Sequence, residues 1–370
     1  MGKSKKEPVS EVATRLTKPI PRIPPTPPQD YLSCGVTPLN LAATGHIDRF
    51  IQKGTYVYFV GDSGSSKTWM AFMMMAEASI NSHFNKHQLI FDNAENGSLM
   101  DVRKFFGPAV EKRMRAPRYD KEKQPENSRT VQEMFYNIDT ALDAGPCIYI
   151  VDSIDALNAD EDETKFEEDK SAFEKGKDTK GSYGMAKAKY ISKSINRVAM
   201  RLRDTGSILF LISQTRDKVG GHIPGLKTRS GGKALKFYAH LEIWTSLRGV
   251  ITKGAMGKER EIGNWIQFDI QKNRLSGWEG KLTVPFYRQH GFSDIDSCVE
   301  WLCEEHWVTK SVKGKGTIIT APEFNFEGSA EVLVRLIEES SREEELRLLV
   351  FTIWQMIEES CLLKRRSKYS

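Results

Sequence analysis

Long apolar runs without polar alternation dominate the middle of this chain. Residues 56–60 (YVYFV), 88–92 (QLIFD), 146–152 (PCIYIVD) and 207–214 (SILFLISQ) string aromatic, β-branched and aliphatic side chains together. A strand with one wet face would alternate, so these runs predict strands buried on both faces, as in a parallel sheet covered by helices. Each closes on a small or polar residue: Gly61, Asp92, Asp152 or Gln214. Residues 184–203 carry a helical period instead. Ala188, Ile191, Ile195, Val198 and Leu202 form one apolar stripe, and Lys189, Lys193, Arg197 and Arg201 recur every fourth residue on another face. Two later strands are expected at 242–247 and 265–270, joined by a Gly/Lys-rich turn. Past residue 290 the composition shifts: a helix is expected at 297–306, a hairpin at 308–320, and amphipathic helices near 330–339 and 343–359.

Polar stretches divide these elements. Residues 1–30 open with Lys3, Lys5 and Lys6 and hold six prolines between Pro19 and Pro28, which favours an extended arm. The arm is read either as a tail or as a strap lying on a neighbouring copy. Residues 103–129 are polar and basic and read as helix and surface insertion, and 158–183 is acidic and poor in large apolar residues. The segment 215–233 combines five glycines with Arg216, Lys218, Lys227, Arg229 and Lys233, a composition suited to ordering on a polyanion. The domain reading is therefore an arm over 1–30, a core over 31–290, and a small α+β or helical domain with a basic tail over 291–370.

Overall charge changes little in this picture. In 370 residues, 54 Lys and Arg against 49 Asp and Glu leave a net +5, so any nucleic-acid contact has to come from a local basic patch. The five cysteines include no C-x-x-C pair, which predicts reduced thiols in an intracellular protein. Cys298, Cys303 and His306 match no common zinc spacing and read as packing residues. No apolar run approaches the roughly 20 residues of a membrane span, so no membrane partner is expected.

The chemistry concentrates in residues 56–70, YVYFVGDSGSSKTWM. Strand, small-residue loop and helix start come in the order a phosphate-binding loop requires. In that reading Gly61, Asp62, Ser63, Gly64, Ser65, Ser66, Lys67 and Thr68 cradle a nucleotide's phosphates, with backbone N–H groups and the helix N-terminus facing them. Lys67 neutralises the phosphates, while Thr68 and Asp152 serve a Mg²⁺ ion. Ser66 departs from the usual Gly, where a Cβ would crowd the phosphate. A plain strand and small-residue turn without nucleotide is the competing reading.

Taken in order, these segments resemble RecA-type ATPases. DNAE at 92–95 is similar to that family's strand end with its catalytic glutamate, IYIVDSIDAL to its Walker B strand, and LFLISQ to the strand ending in its sensor glutamine. SGGKALKFYAH at 230–240 resembles the exit of the second DNA-binding loop, and KNR at 272–274 with Pro285 and Phe286 resembles the basic pair that reaches a neighbour's ATP. The serine at 66 is similar to phage recombinases of the UvsX kind. The resemblance covers about residues 31–290; the helix-then-hairpin beyond it is only loosely similar to a winged-helix end.

The resemblance implies an α/β fold with a RecA-like, mostly parallel twisted sheet, ATP and Mg²⁺ as cofactors, and catalytic roles for Glu95, Gln214, Lys272 and Arg274. It further implies a cytoplasmic, filament-forming, DNA-dependent ATPase that acts on single- and double-stranded DNA. Its DNA contacts would come from Lys189, Arg197, Arg216, Lys218, Lys227, Arg229, Gly231, Gly232 and Lys233. Single-strand-binding and loader proteins would be partners, and a phage protein would work in its bacterial host's cytoplasm. Two rivals stay open: a mediator that binds ATP and DNA without hydrolysis, and another motor of the same fold, either a hexameric helicase or a KaiC-like ATPase.

Overall fold

The fold is taken from a computed structural model. It describes residues 26–98, 100–161, 164, 185–217, 227–229, 232–313, 316–363 and 365. Among these, ten strands form the main sheet: β1 (Tyr56–Gly61), β2 (Gln88–Asp92), β3 (Met114–Arg115), β4 (Cys147–Val151), β5 (Ile208–Asp217), β6 (Lys227–Arg229), β7 (Leu241–Ala255), β8 (Lys258–Asn273), β9 (Gly280–Tyr287) and β10 (Gly291–Phe292). Their order is β10-β9-β8-β7-β1-β5-β4-β2-β3, with β6 paired to β5. The stretch from β7 to β3 is parallel throughout, and β8, β9, β10 and β6 join antiparallel.

The unbroken apolar runs follow from burial on two sides. Val57 and Phe59 of β1 face one cluster, with α1 (Thr37–Thr44) and α2 (Lys67–Ile80); Tyr56, Tyr58 and Val60 face another, with α3 (Val131–Ala144) and α4 (Met185–Thr205). β4 divides the same way, Ile148 and Ile150 against Cys147, Tyr149 and Val151. The predicted stripe Ile191, Ile195, Val198 and Leu202 is the buried side of α4. A shorter helix, α5 (Gly232–Tyr238), completes that layer through Leu235.

Several sequence expectations shift in extent. The two strands expected at 242–247 and 265–270 are the inner halves of the long hairpin β7–β8, which turns at Met256 and Gly257, both at positive φ. Of the segment 215–233, the described residues 215–217 and 227–229 are paired strand: β5 runs to Asp217 and β6 lies antiparallel to it, with Arg216 opposite Thr228. The 103–129 insertion holds the short helices Val102–Phe106 and Pro108–Arg113 together with β3 and a two-stranded ribbon, Arg118–Tyr119 with Pro125–Glu126.

Beyond the sheet come α6 (Asp294–Glu304), a three-stranded unit of Thr309–Lys313, Gly316–Ala321 and Phe326–Gly328, then α7 (Ala330–Glu339) and α8 (Glu343–Cys361). Cys298, Trp301, Cys303, Leu333 and Trp354 from this part share one apolar cluster with Leu39, Val57 and Phe286. Asp294 clasps the two parts. Helix α1 has no side-chain cap of its own; Thr37 donates through N and Oγ1 to Asp294, at 2.6 and 3.1 Å, and Arg347 Nε of α8 donates to the same carboxylate at 2.8 Å. Asp294→Ala removes the acceptor of all three donors, so the urea unfolding midpoint is expected to fall by the equivalent of roughly 1–3 kcal/mol. An unchanged midpoint would remove the clasp from the account.

Candidate nucleotide-binding site

Parallel strands deliver their polar ends to one edge of the sheet. Gly61 at the end of β1 lies in register with Gln214 of β5 and Thr245 of β7, and Asp92 of β2 is in register with Val151, just before Asp152. Side chains at these ends meet wherever the sequence places them, because register is shared along a parallel sheet. Gly61 is required by this crowding: a Cβ there would lie 2.1 Å from Thr245 Oγ1.

The loop between β1 and α2 has the geometry an anion cradle needs. Ser66, at the start of α2, makes no side-chain capping bond, so this helix N-terminus presents N–H groups that no side chain caps. Lys67 is buried and its Nζ donates to Gly61 O at 2.9 Å, Asp62 O at 2.7 Å and Ser65 Oγ at 3.4 Å. Burial pulls its pKa down, while Asp152 and Glu95 push the other way. Ser65 Oγ lies 2.7 Å from Thr245 Oγ1, and Thr215 donates to Asp62, tying the loop to β7 and β5.

The backbone at Ser66 adds to the steric argument made from sequence. Its backbone has φ 60° and ψ 25°, the left-handed region, where an L-residue costs roughly 1–2 kcal/mol and Gly does not. Backbone conformation therefore gives the Gly preference at this position a second cause besides crowding.

Beside the cradle, Thr68 Oγ1 donates to Asp152 Oδ2 at 2.6 Å. Burial raises the Asp152 pKa, and the Thr68 bond and Lys67 partly offset this. A hydroxyl and a carboxylate next to a phosphate cradle are hard oxygen donors of the kind Mg²⁺ takes, so the residues fit that ion. Glu95 stands opposite on the turn after β2; its backbone N donates to Asp152 O at 3.1 Å. Its carboxylate accepts from Ser153 Oγ and, at 2.9 Å, from Gln214 Nε2. Thr68, Asn93, Glu95, Ser98, Met100 and Asp152 line a cleft of about 320 Å³. Lys67, Thr68, Glu95, Asp152 and Gln214, read separately from sequence, thus converge.

Other predicted residues lie elsewhere. Lys272 Nζ donates to Lys236 O and Phe237 O, at 2.5 and 2.7 Å, and Arg274 Nη2 to Phe237 O at 2.8 Å, so both cations cap the C-terminal end of α5. Exposed Phe237 stands beside them, 5.8 Å from the Arg274 guanidinium. The cationic line on α4 is broken by a neighbour: Arg197 donates to Asp139 at 2.8 Å, and Arg201 pairs with Asp139 and Asp143 of α3. Arg197 is therefore not an uncommitted phosphate ligand, whereas Lys189 and Lys233 are exposed. Arg216, Lys227 and Arg229 fall on the β5–β6 pair, Gly232 begins α5, and Lys218 and Gly231 lie outside the described residues.

Sequence reasoning missed Ser153, Asp155, Thr215 and Thr245 as site residues. Asp155 Oδ2 accepts from the Gln214 backbone N at 2.7 Å, and the other three are described above. Ser153 and Asp155 follow the strand end in the motif DSID, which was the available signal.

Residues 29–287 match the RecA N-terminal domain family. Relatives named Protein RecA come from Lactiplantibacillus pentosus, 28% identical over 124 residues (34% of this chain, 32% of the relative), and Mycoplasma mobile, 25% over 169 residues (43% and 50%). A third, from Chlamydia trachomatis serovar D, is 33% identical over 123 residues (33% and 34%). The chain spans about a third to a half of the length of these relatives.

Proposed function

This chain belongs to the RecA N-terminal domain family, and we propose that it is an ATP-dependent recombinase of the phage UvsX kind. In this reading it forms a filament on single-stranded DNA and pairs that strand with a homologous duplex. The supporting observation is the meeting of Lys67, Thr68, Asp152, Glu95 and Gln214 at the C-terminal ends of β1, β4, β2 and β5. One of these strands, β5, runs straight from Gln214 into the basic segment.

Mg²⁺ bound with ATP would neutralise charge on the phosphates. Lys67 and the N-terminus of α2 hold the phosphates, and Thr68 with Asp152 serves the ion. Glu95, oriented by Ser153 and Gln214, accepts the proton of the attacking water. Gln214 joins the two functions: its side chain touches Glu95 while its backbone belongs to the strand leading to Arg216. Lys189, Lys233 and the basic residues of 216–229 contact the DNA backbone, which gives low sequence preference and steep salt dependence. The domain reading is an arm over 1–30, of which 1–25 lie outside the described residues, an ATPase core over 31–290 and a small C-terminal domain over 291–370. Single-strand-binding and loader proteins are the expected partners, in the cytoplasm of a bacterial host. Among the described residues no helix is long and apolar enough to cross a membrane.

Lys272 and Arg274 fit an action on the neighbouring subunit, since their own bonds go to α5 rather than to the cradle. Burial and the adjacent Arg274 hold Lys272 down to about 8. The cation is thus lost as pH rises through that value, and DNA-stimulated turnover is expected to decline between about pH 7.5 and 9. Arg stays charged over this range, so Lys272→Arg should flatten the alkaline limb of the pH–rate profile. An identical limb in the variant would count against the role.

Electron microscopy with Mg-ATP and single-stranded DNA tests the whole reading. Helical filaments are expected, weakened when Arg216 and Arg229 are both changed to Ala while nucleotide binding persists. Closed rings would favour a helicase or KaiC-like motor.

A further inference from the structure

We propose that Asp92 and Ser128 are positioning residues for Glu95, acting through the segment 127–131; this rests on the ATPase reading above. Asp92 is the last residue of β2, fully buried, and only three residues before Glu95. A buried carboxylate has to be satisfied by donors, and three reach this one. Ser128 N donates at 2.8 Å to Oδ1, Ser128 Oγ at 2.6 Å to Oδ2, and Tyr149 OH at 3.0 Å to Oδ2. Ser128 Oγ itself accepts from Asn137 Nδ2 of α3 at 2.9 Å.

The same short segment also grips the turn that carries Glu95. Asn127 Oδ1 accepts from the Asn93 backbone N at 3.1 Å, the residue after Asp92. Asp92 O accepts from both Ala94 N and Asp152 N at 3.0 Å, and Asp152 O in turn accepts from Glu95 N. On its far side the segment is held by the stretch after β4: Val131 N donates to Asn158 O at 2.8 Å, and Asn158 N to Arg129 O at 3.2 Å. Helix α3 begins directly behind it, with Thr130 capping Glu133 N at 3.2 Å. The turn from Asp92 to Glu95 is thereby pinned at its base by a side chain, at its second residue by Asn127, and at its end by Asp152. Glu95 is exposed, and its carboxylate accepts from Ser153 and Gln214. A misplacement of ~1 Å at a catalytic group costs on the order of 100-fold in rate.

The experiment uses the full-length chain with Ser128→Ala, Ser128→Thr and Tyr149→Phe. For Ser128→Ala we expect kcat for ATP on single-stranded DNA to fall about tenfold or more, with KM and the affinity for a fluorescent ATP analogue within about twofold of wild type. Ser128→Thr restores the hydroxyl and should recover most of the rate. Tyr149→Phe removes a donor to Asp92 and a side-chain contact with Ser128 but leaves both Ser128 bonds to Asp92 and the Asn127 bond to Asn93 in place, so it should lower the melting temperature more than kcat. An unchanged kcat in Ser128→Ala, or equal losses of rate, affinity and stability in Ser128→Ala and Tyr149→Phe, would overturn the proposal. Crystal structures of wild type and Ser128→Ala add a readout independent of turnover. Glu95 is expected to leave Ser153 in the variant, and an unmoved carboxylate refutes the positioning role even if the wild type proves not to hydrolyse ATP. A wild type that binds ATP without turnover would instead sink the ATPase reading alone.

Discussion

Lys67→Ala should abolish ATP turnover and lower nucleotide affinity by about two orders of magnitude or more. In the free protein Lys67 Nζ is held by Gly61 O, Asp62 O and Ser65 Oγ, a position from which it can swing onto phosphate oxygens. Each hydrogen bond from a charged donor contributes roughly 1.5–3 kcal/mol, and an ammonium carries three donors. Removing it also leaves the cradle without its charge. The fold should survive, because a lysine buried next to loop carbonyls is costly to desolvate and its loss need not weaken the core. Isothermal titration with an ATP analogue, alongside a phosphate-release assay, measures both effects. Retained turnover would overturn the site assignment.

The second large effect is expected at Glu95. Glu95→Gln keeps the shape and an acceptor for Ser153 and Gln214 but cannot take a proton. General-base catalysis contributes typically 10²–10⁴-fold, so kcat should fall by about that range with nucleotide and DNA binding intact. A stalled, ATP-bound complex on DNA is the anticipated phenotype. If binding fell in parallel with rate, Glu95 would be a structural residue of the turn and the base would have to be sought elsewhere.

How far the molecule could be read from its residues depended on whether a feature is local. Strands β1, β4 and β5 were legible because burial on both faces writes a continuous apolar run. Lys67, Thr68 and Asp152 were picked out by a loop motif and a strand end, and Glu95 and Gln214 by the resemblance to RecA-type ATPases; the parallel register is what brings the five together. The outer half of the β7–β8 hairpin was not, since both its faces are largely exposed and residues such as Lys253, Lys258 and Arg260 show no alternation. Nor was the fate of Arg197 and Arg201. A cationic helix face read alone cannot reveal that Asp139 and Asp143 of another helix stand opposite. The clasp from Asp294 to Thr37 bridges 257 residues of sequence, and nothing near α1 announces its missing cap. At Ser66 the residue was flagged correctly, yet its positive φ, an added cause of the Gly preference, is a property of the folded turn.

The most direct test of the central claim, a DNA-dependent ATPase, is ATP hydrolysis by the purified chain with and without single-stranded DNA across a salt series. Hydrolysis that rises strongly with DNA and loses that stimulation as salt increases is the predicted result. Turnover indifferent to DNA would contradict the account and point to another ATPase of this fold, and ATP bound without hydrolysis under either condition would contradict it in favour of a mediator.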